Sequence, residues 1–443
     1  MVDLVIKNSK LVLPDGIVEA GIVINNGRIE DIKKNANLPV ADRVIDCNGN
    51  YVLPGMIDPH VHFREPGAVS KEGWITGSKA AAAGGITTVI DMPNTQPPTA
   101  SLEELMKKRE IAKSKALIDY GFHFAATLEN QKEIIRLDRD IASVKFYTSS
   151  TIGSLIVDND AIIFEDFQIL AEKDLIATVH AENQIMIDYW VGKLKESNVN
   201  DPLKYAEARG NICAAVSLNS IIYLSRIVGN KLHIVHVSTR EEVDLIRKFK
   251  NEKLTAEVSP HHLFLNKDDI KNLGSYSKVH PPLRSKADQN VLWEALHDGT
   301  IDMIASDHAP HLRESKEVDI FSASAGFPEV ETTLPLLLNE VHNKRLTLNL
   351  IAKITAENPA KVFRIENKGV IKKGFDADLI IVDMNKKKKV DEEKLFTKCG
   401  WSPYRGRTLK GWPIKTLVRG NIVFDDGTIY EENRGVELSL IHI

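Results

Sequence analysis

The sequence predicts an α/β fold, a (β/α)8 TIM barrel with a small β-sandwich domain formed from both chain termini. Three observations lead there. Eight short apolar runs alternate with longer helix-type stretches between Pro54 and Arg364. Hairpin-type strands with Asn-Gly and Asp-Gly turns flank this middle on both sides. Histidines or acids end several of the eight runs, as expected where chemistry sits at the C-terminal mouth of a barrel.

Residues 1–53 contain the runs Val2 to Ile6, Lys10 to Leu13, Gly21 to Ile24 and Arg43 to Ile45, separated by Pro14-Asp15-Gly16 and Asn25-Asn26-Gly27. Period-2 apolar runs broken by such turns predict an antiparallel β unit, the N-terminal part of the sandwich. From 54 to 364 the expected barrel strands are Met56 to His60, Thr87 to Met92, Tyr120 to Ala125, Val144 to Tyr147, Ile176 to His180, Leu232 to Val237, Thr255 to Val258 and Met303 to Ser306. Lys71 to Ala83 and Leu102 to Lys115 carry helix periodicity between them. A barrel of this kind takes roughly 250 residues, so inserted loops fill the remainder. A doubly wound open sheet would use the same elements, but no Gly-x-Gly-x-x-Gly follows an early strand. Residues 365–443 return to β texture in Ala377 to Val382, Lys415 to Arg419 and Ile422 to Phe424, with turns at Gly420-Asn421 and Asp425-Asp426-Gly427. Lys386 to Lys389 read as a solvated loop.

Composition narrows the function classes. Of 443 residues 43% are hydrophobic and 27% charged, which excludes collagenous, disordered and multi-pass membrane chains. Lys+Arg at 57 against Asp+Glu at 61 leaves no basic excess, so nucleic acid is not an expected partner. Cys47, Cys213 and Cys399 are far apart and form no CxxC, which argues against disulfides or a thiolate metal site. The first residues lack a basic segment followed by a long apolar one, and no run of 18 apolar residues occurs, so no membrane partner and a cytoplasmic location are expected.

The strand ends carry the chemistry. His60 and His62, two apart on one strand, project to the same side and suit two nitrogen ligands of one metal. His180, His236 and Asp307 end three further strands. Four imidazoles and a carboxylate converging on one mouth exceed the needs of a single catalytic ion, so two metals are expected. Lys145, inside the apolar run Val144 to Tyr147, is the candidate bridge, because its amine with carbon dioxide gives an anionic carbamate that binds two ions. A lysine snorkelling or pairing with an acid is the plainer alternative.

The run Asp58 to Gly67 (DPHVHFREPG) resembles the opening signature of the cyclic amidohydrolases of the amidohydrolase superfamily, and within them the dihydroorotases. Further similarity lies in Ala80 to Thr88 (AAAAGGITT), Asp91 to Thr95 (DMPNT), Ala305 to His311 (ASDHAPH), Asn358-Pro359-Ala360 and Gly374 to Asp378 (GFDAD). The resemblance implies a metal-dependent hydrolase of cyclic amides in pyrimidine biosynthesis, with two Zn2+ or other divalent ions. It assigns His60, His62 and Asp307 to the first metal, His180 and His236 to the second, and carboxylated Lys145 to the bridge. Asp307 would also serve as general base and acid, taking a proton from the bridging hydroxide and delivering it to the leaving nitrogen.

Substrate choice lies one layer further out. Arg64 follows His62 by two residues and would take a substrate carboxylate bidentately, with Asn94 adding an amide hydrogen bond; an ion pair with Glu65 is the alternative. Dihydroorotate and N-carbamoyl-L-aspartate carry that carboxylate, whereas allantoin and unsubstituted hydantoins do not. The resemblance adds His311 on the same carboxylate and Ala325-Gly326 as a backbone contact. It also places His280 at a substrate position where relatives often read Asn before Pro-Pro-Leu-Arg, so the contact there would be altered or lost. Glu257 with His261 and His262 reads as hydrogen-bonding support or as ligands of an additional metal. Ser402 to Arg407 resembles allantoinases and is expected away from the mouth. An allantoinase or hydantoinase activity, or a non-catalytic scaffold, are the competing functions. Lys145 favours a self-sufficient site, with a homo-oligomer or a transcarbamoylase partner left open.

Overall fold

Strand β1 (Val2–Leu13) pairs antiparallel with β2 (Gly16–Asn25), and β2 with β3 (Arg28–Lys33). Asn26 at φ 49° and Gly27 at φ 75° supply the left-handed pair that this second tight turn requires. β4 (Ala41–Asp46) runs parallel to the first half of β1, and β5 (Tyr51–Pro54) to its second half. These details come from a computed structural model that describes residues 1–150 and 155–440.

The middle of the chain forms a second, all-parallel sheet in strict sequence order: β6 (Met56–Val61), β7 (Ile86–Asp91), β8 (Asp119–Ala125), β9 (Ser143–Tyr147), β10 (Ile176–His180), β11 (Lys231–Ile234), β12 (Leu254–Val258) and β13 (Met303–Ile304). It closes where Val61 bridges His308 in parallel and the His62 N–H donates to the His308 carbonyl at 2.8 Å. Strands buried on both faces explain the continuous apolar runs in the sequence. Ala80, Ala81 and Ala82 of the helix Trp74–Ala83 are fully buried in the same core as Phe122, Phe124 and Phe146.

After the barrel come β14 (Leu379–Lys389), β15 (Thr408–Val418), β16 (Asn421–Asp425) and β17 (Thr428–Ile429). β14 pairs antiparallel with β5, Leu379 opposite Pro54, and thereby joins strands from the two chain ends into one nine-stranded hydrogen-bonded sheet. Leu4, Ile6, Ile22, Ile24, Val52, Leu379, Ile381 and Leu417 share one buried core there. Each such side chain taken out of water contributes about 1.5–3 kcal/mol before entropy is counted.

The structure differs from expectation in four places. Lys386 to Lys389 are not a loop but the end of β14; Lys387 to Lys389 are exposed and paired with Thr408 to Lys410, and the Lys386 ammonium pairs with Asp426. The segment from Phe396 to Tyr404 lies against the barrel, with Trp401 and Tyr404 fully buried beside Phe327 and Leu283. Residues 435–440 also leave the sheet, and Tyr120 of β8 exchanges backbone hydrogen bonds with Val436 and Leu438. Finally, β11 and β13 end short of Val237 and Ser306; His236 (φ 37°), inside the first of these expected runs, is left-handed, a conformation an extended ladder excludes, and Asp307 (φ 48°) is left-handed just past the second. The most apolar helical stretch, Pro202–Val228, is broken at Arg209 and Gly210, and buries Cys213, Ala214, Leu218 and Ile221.

Candidate active site

His60 on β6 and His62 just beyond it turn their rings to one side, with centroids 5.3 Å apart. Asp307, after β13, places Oδ1 3.2 Å from Nε2 of both. Across the mouth His180, the last residue of β10, sets Nδ1 2.8 Å from Nε2 of His236, which lies two residues past β11. The rings of His60 and His236 are 5.5 Å apart and link the two groups. Lys145 on β9 is fully buried, and its Nζ has no hydrogen-bond partner among the described residues. All six border one cavity, together with Arg64, Asn94, His280, Ala325 and Gly326. Each of these residues was a sequence expectation, and the fold brings them to one place.

The protonation pattern suits a cation. His60 gives its Nδ1 proton to Glu257 Oε1 at 2.5 Å, and His62 gives its own to Asn94 Oδ1 at 2.6 Å. The Nε2 atoms of both rings lie opposite the Asp307 carboxylate, where neutral imidazoles would present lone pairs. A divalent ion reconciles such a set, and imidazole with carboxylate is a zinc-type donor chemistry. His180 likewise donates Nε2–H to Glu182 at 3.1 Å, which turns the Nδ1 lone pair toward His236. Burial pulls the His62 imidazole down to about 3 and lowers His180 and His236 as well, so all three rings are neutral at neutral pH. Burial also pulls the Lys145 amine down to about 7, which populates the uncharged form. The set His60, His62 and Asp307 thus fits a metal ion, and His180 with His236 places two further imidazoles across the same mouth.

Behind these residues stands a layer that orients them. Glu257 accepts from His60 with one oxygen and from His233 Nε2 with the other, at 3.0 Å. This favours the hydrogen-bonding role for Glu257. His261 is taken up by Glu329 at 2.8 Å, and His262 approaches the Pro281 carbonyl at 3.2 Å. Burial opposes a charge on Glu182, but the Arg209 guanidinium bonded to it holds the carboxyl well below its usual range. Asp91 accepts from the Phe63 N–H at 2.7 Å and pairs with the fully buried Lys108 at 2.6 Å, fixing the backbone between His62 and Arg64. Glu182 and Arg209, together with Tyr147, which borders the same cavity, were missed from the sequence. Glu182 and Tyr147 carried a signal, since each lies two residues beyond a recognised site residue; Arg209, on an inserted loop, carried none.

Arg64 is buried, and its Nε and Nη1 have no partner among the described residues, while Nη2 lies 3.2 Å from His311 Nε2. Glu65 is not its partner: it caps Trp74 N–H and pairs with Lys115. Arg64 (φ 62°), His236 and Asp307 all hold left-handed backbones, strain that the surrounding structure must maintain. His280 borders the cavity with Nε2 3.0 Å from the Tyr205 hydroxyl and Nδ1 unpartnered among the described residues. At Ala325-Gly326 the Gly326 N–H donates to the Lys278 carbonyl at 3.0 Å, and its carbonyl accepts from Lys316. Gly326 is therefore already bonded, which leaves Ala325 to supply any backbone contact. The Gly326 φ of 141°, with a Cβ there only 2.5 Å from the Ala309 carbonyl oxygen, restricts position 326 to glycine. The Ser402 to Arg407 stretch is not remote: Trp401 donates to the His311 carbonyl at 2.7 Å, and Tyr404 donates to Glu329.

The model of the amidohydrolase family matches residues 51–423. A dihydroorotase of Methanosphaera stadtmanae is 38% identical over 437 residues, 97% of this chain and 98% of that protein. A dihydroorotase of Methanosarcina acetivorans is 39% identical over 441 residues, 97% and 93% of the two chains. An L-hydantoinase of Paenarthrobacter aurescens is 34% identical over 444 residues, 98% and 96%. Among solved structures, an L-hydantoinase (dihydropyrimidinase) from Arthrobacter aurescens superposes with a TM-score of 0.96 at 32% identity, covering 99% of this chain and 100% of that one.

Proposed function

The chain belongs to the amidohydrolase family, and from that premise we propose that it is a dihydroorotase. It interconverts L-dihydroorotate and water with N-carbamoyl-L-aspartate, the ring closure of pyrimidine biosynthesis. One observation carries the choice of substrate. Arg64 is a buried guanidinium with two donors unused, beside His311 at the edge of the cavity. Leaving those donors unmet costs about 1–3 kcal/mol, and a carboxylate supplies what they lack. Dihydroorotate has that carboxylate; allantoin and unsubstituted hydantoins have none. Relatives named dihydroorotase over nearly the whole chain support the same reading.

Two divalent metals, zinc by donor type, would be held by His60, His62 and Asp307 and by His180 and His236, with a carbamate on Lys145 between them. Bound there, they would polarise the ring amide carbonyl and acidify water. The uncharged Lys145 amine is the form that adds carbon dioxide. Asp307 takes the proton of the attacking water and delivers it to the ring nitrogen as the carbon–nitrogen bond breaks; ring closure reverses both transfers. Arg64, with His311, holds the carboxylate. Asn94, whose Oδ1 accepts from His62, has its amide hydrogens for the substrate. His280 and Ala325 border the same cavity.

The L-hydantoinase relative and its superposition support a second reading, a hydantoinase or allantoinase. A turnover panel with zinc-loaded protein separates the readings. Preferred hydrolysis of L-dihydroorotate over allantoin, hydantoin and dihydrouracil is expected. Preference for allantoin or hydantoin overturns the proposal, and turnover of none of them indicates a scaffold.

A further inference from the structure

Lys316 is fully buried in the loop after β13, and among the described residues no carboxylate pairs with it. Its Nζ instead donates to three carbonyls: Lys278 at 2.9 Å, Ser324 at 2.8 Å and Gly326 at 3.2 Å. The ammonium lies 5.6 Å from the Phe327 ring centroid and 5.4 Å from that of Trp401. A buried cation without an acid costs stability, and an apolar side chain of the same length would fill the space more cheaply. What a lysine adds is three directed bonds from one atom.

Those bonds join the two segments that form one wall of the cavity. Lys278 precedes Val279 and His280, and Ser324 and Gly326 flank Ala325; the wall residues among these border the cavity. The contact is reciprocal. Lys316 Nζ donates to the Lys278 carbonyl, and Lys278 Nζ donates back to the Phe321 carbonyl at 2.9 Å. The Ser324 N–H to Ser315 carbonyl bond at 2.9 Å closes the base of the same loop.

We propose that Lys316 is a positioning residue: with Lys278 it forms a two-lysine clasp that holds the His280 and Ala325 wall at the spacing the bound ring requires. This rests on the dihydroorotase reading. It predicts a loss in substrate binding rather than in the chemical step, because no atom of the clasp reaches the reacting groups.

The test compares parent, Lys316→Met and Lys278→Met in zinc-loaded form, by steady-state kinetics on L-dihydroorotate and by deuterium exchange at the Gly326 amide. For Lys316→Met, KM should rise about tenfold while kcat changes by less than about threefold, and Gly326 should lose protection. A folded Lys316→Met with parental KM and parental protection overturns the clasp, as does a lowered melting temperature with unchanged KM. If Lys316→Met does not fold, Lys278→Met decides: a smaller rise in KM supports the proposal and a parental KM overturns it. A parent inactive on dihydroorotate would instead refute the substrate reading, and the exchange data would still decide the clasp.

Discussion

Glu257 Oε1 lies 2.5 Å from His60 Nδ1, and the same carboxylate accepts from His233 with its other oxygen. Glutamine cannot accept at both positions, so Glu257→Gln should misorient His60 and weaken metal binding by about 10- to 100-fold. Zinc retained after dialysis against graded chelator measures it. Retention equal to the parent would show that His60 is oriented without Glu257.

Replacing Arg64 with methionine keeps much of the side-chain volume and removes the charge. Losing a charge-assisted pair costs about 1.5–3 kcal/mol, so kcat/KM for dihydroorotate should fall about 10- to 100-fold, mostly through KM. Metal content should stay at the parental value. Unchanged kinetics would remove its carboxylate role.

Asp307→Asn retains the shape of the side chain and loses the proton carrier. A fall in kcat of about 10²- to 10⁴-fold is expected from loss of general acid and base. Measuring zinc content alongside separates that loss from a loss of metal; full metal with near-parental kcat would assign the proton transfer elsewhere.

Glu331 gives a pH dependence of stability. Its Oε2 accepts from the Phe396 and Thr397 N–H groups, but burial dominates and raises the carboxyl from 4.5 to about 8. Between these values the folded state binds more protons than the unfolded one, so this stability is complete below 4.5 and is lost as pH rises through 8. Glu331→Gln stays neutral, and its melting temperature should gain on the parent from about pH 5 to about pH 9. A constant difference across that range would contradict the assignment.

The barrel was legible because its strands are buried apolar runs and several of them end in a polar residue. His60, His180 and Asp307 follow from that rule alone. Legibility failed where a residue acts through a distant partner. Nothing local in Trp401 or Tyr404 tells that they fold back onto His311 and Glu329, since that contact depends on how β14 and β15 leave the sheet. The same holds for Lys386 to Lys389, whose charge suits a loop and an exposed strand end equally. A left-handed backbone at His236 shortened a strand that propensity alone would extend.

The seam between β6 and the segment after β13 bears on how the enzyme comes to exist. His62 and Asp307 are separated by 245 residues, yet share one contact only because Val61 meets His308. A chain still emerging from the ribosome carries His60 and His62 early and lacks their carboxylate until the last barrel strand has been made. Full metal capture is therefore deferred to the end of barrel synthesis, and occupancy of the first position would report that the ring of strands has closed.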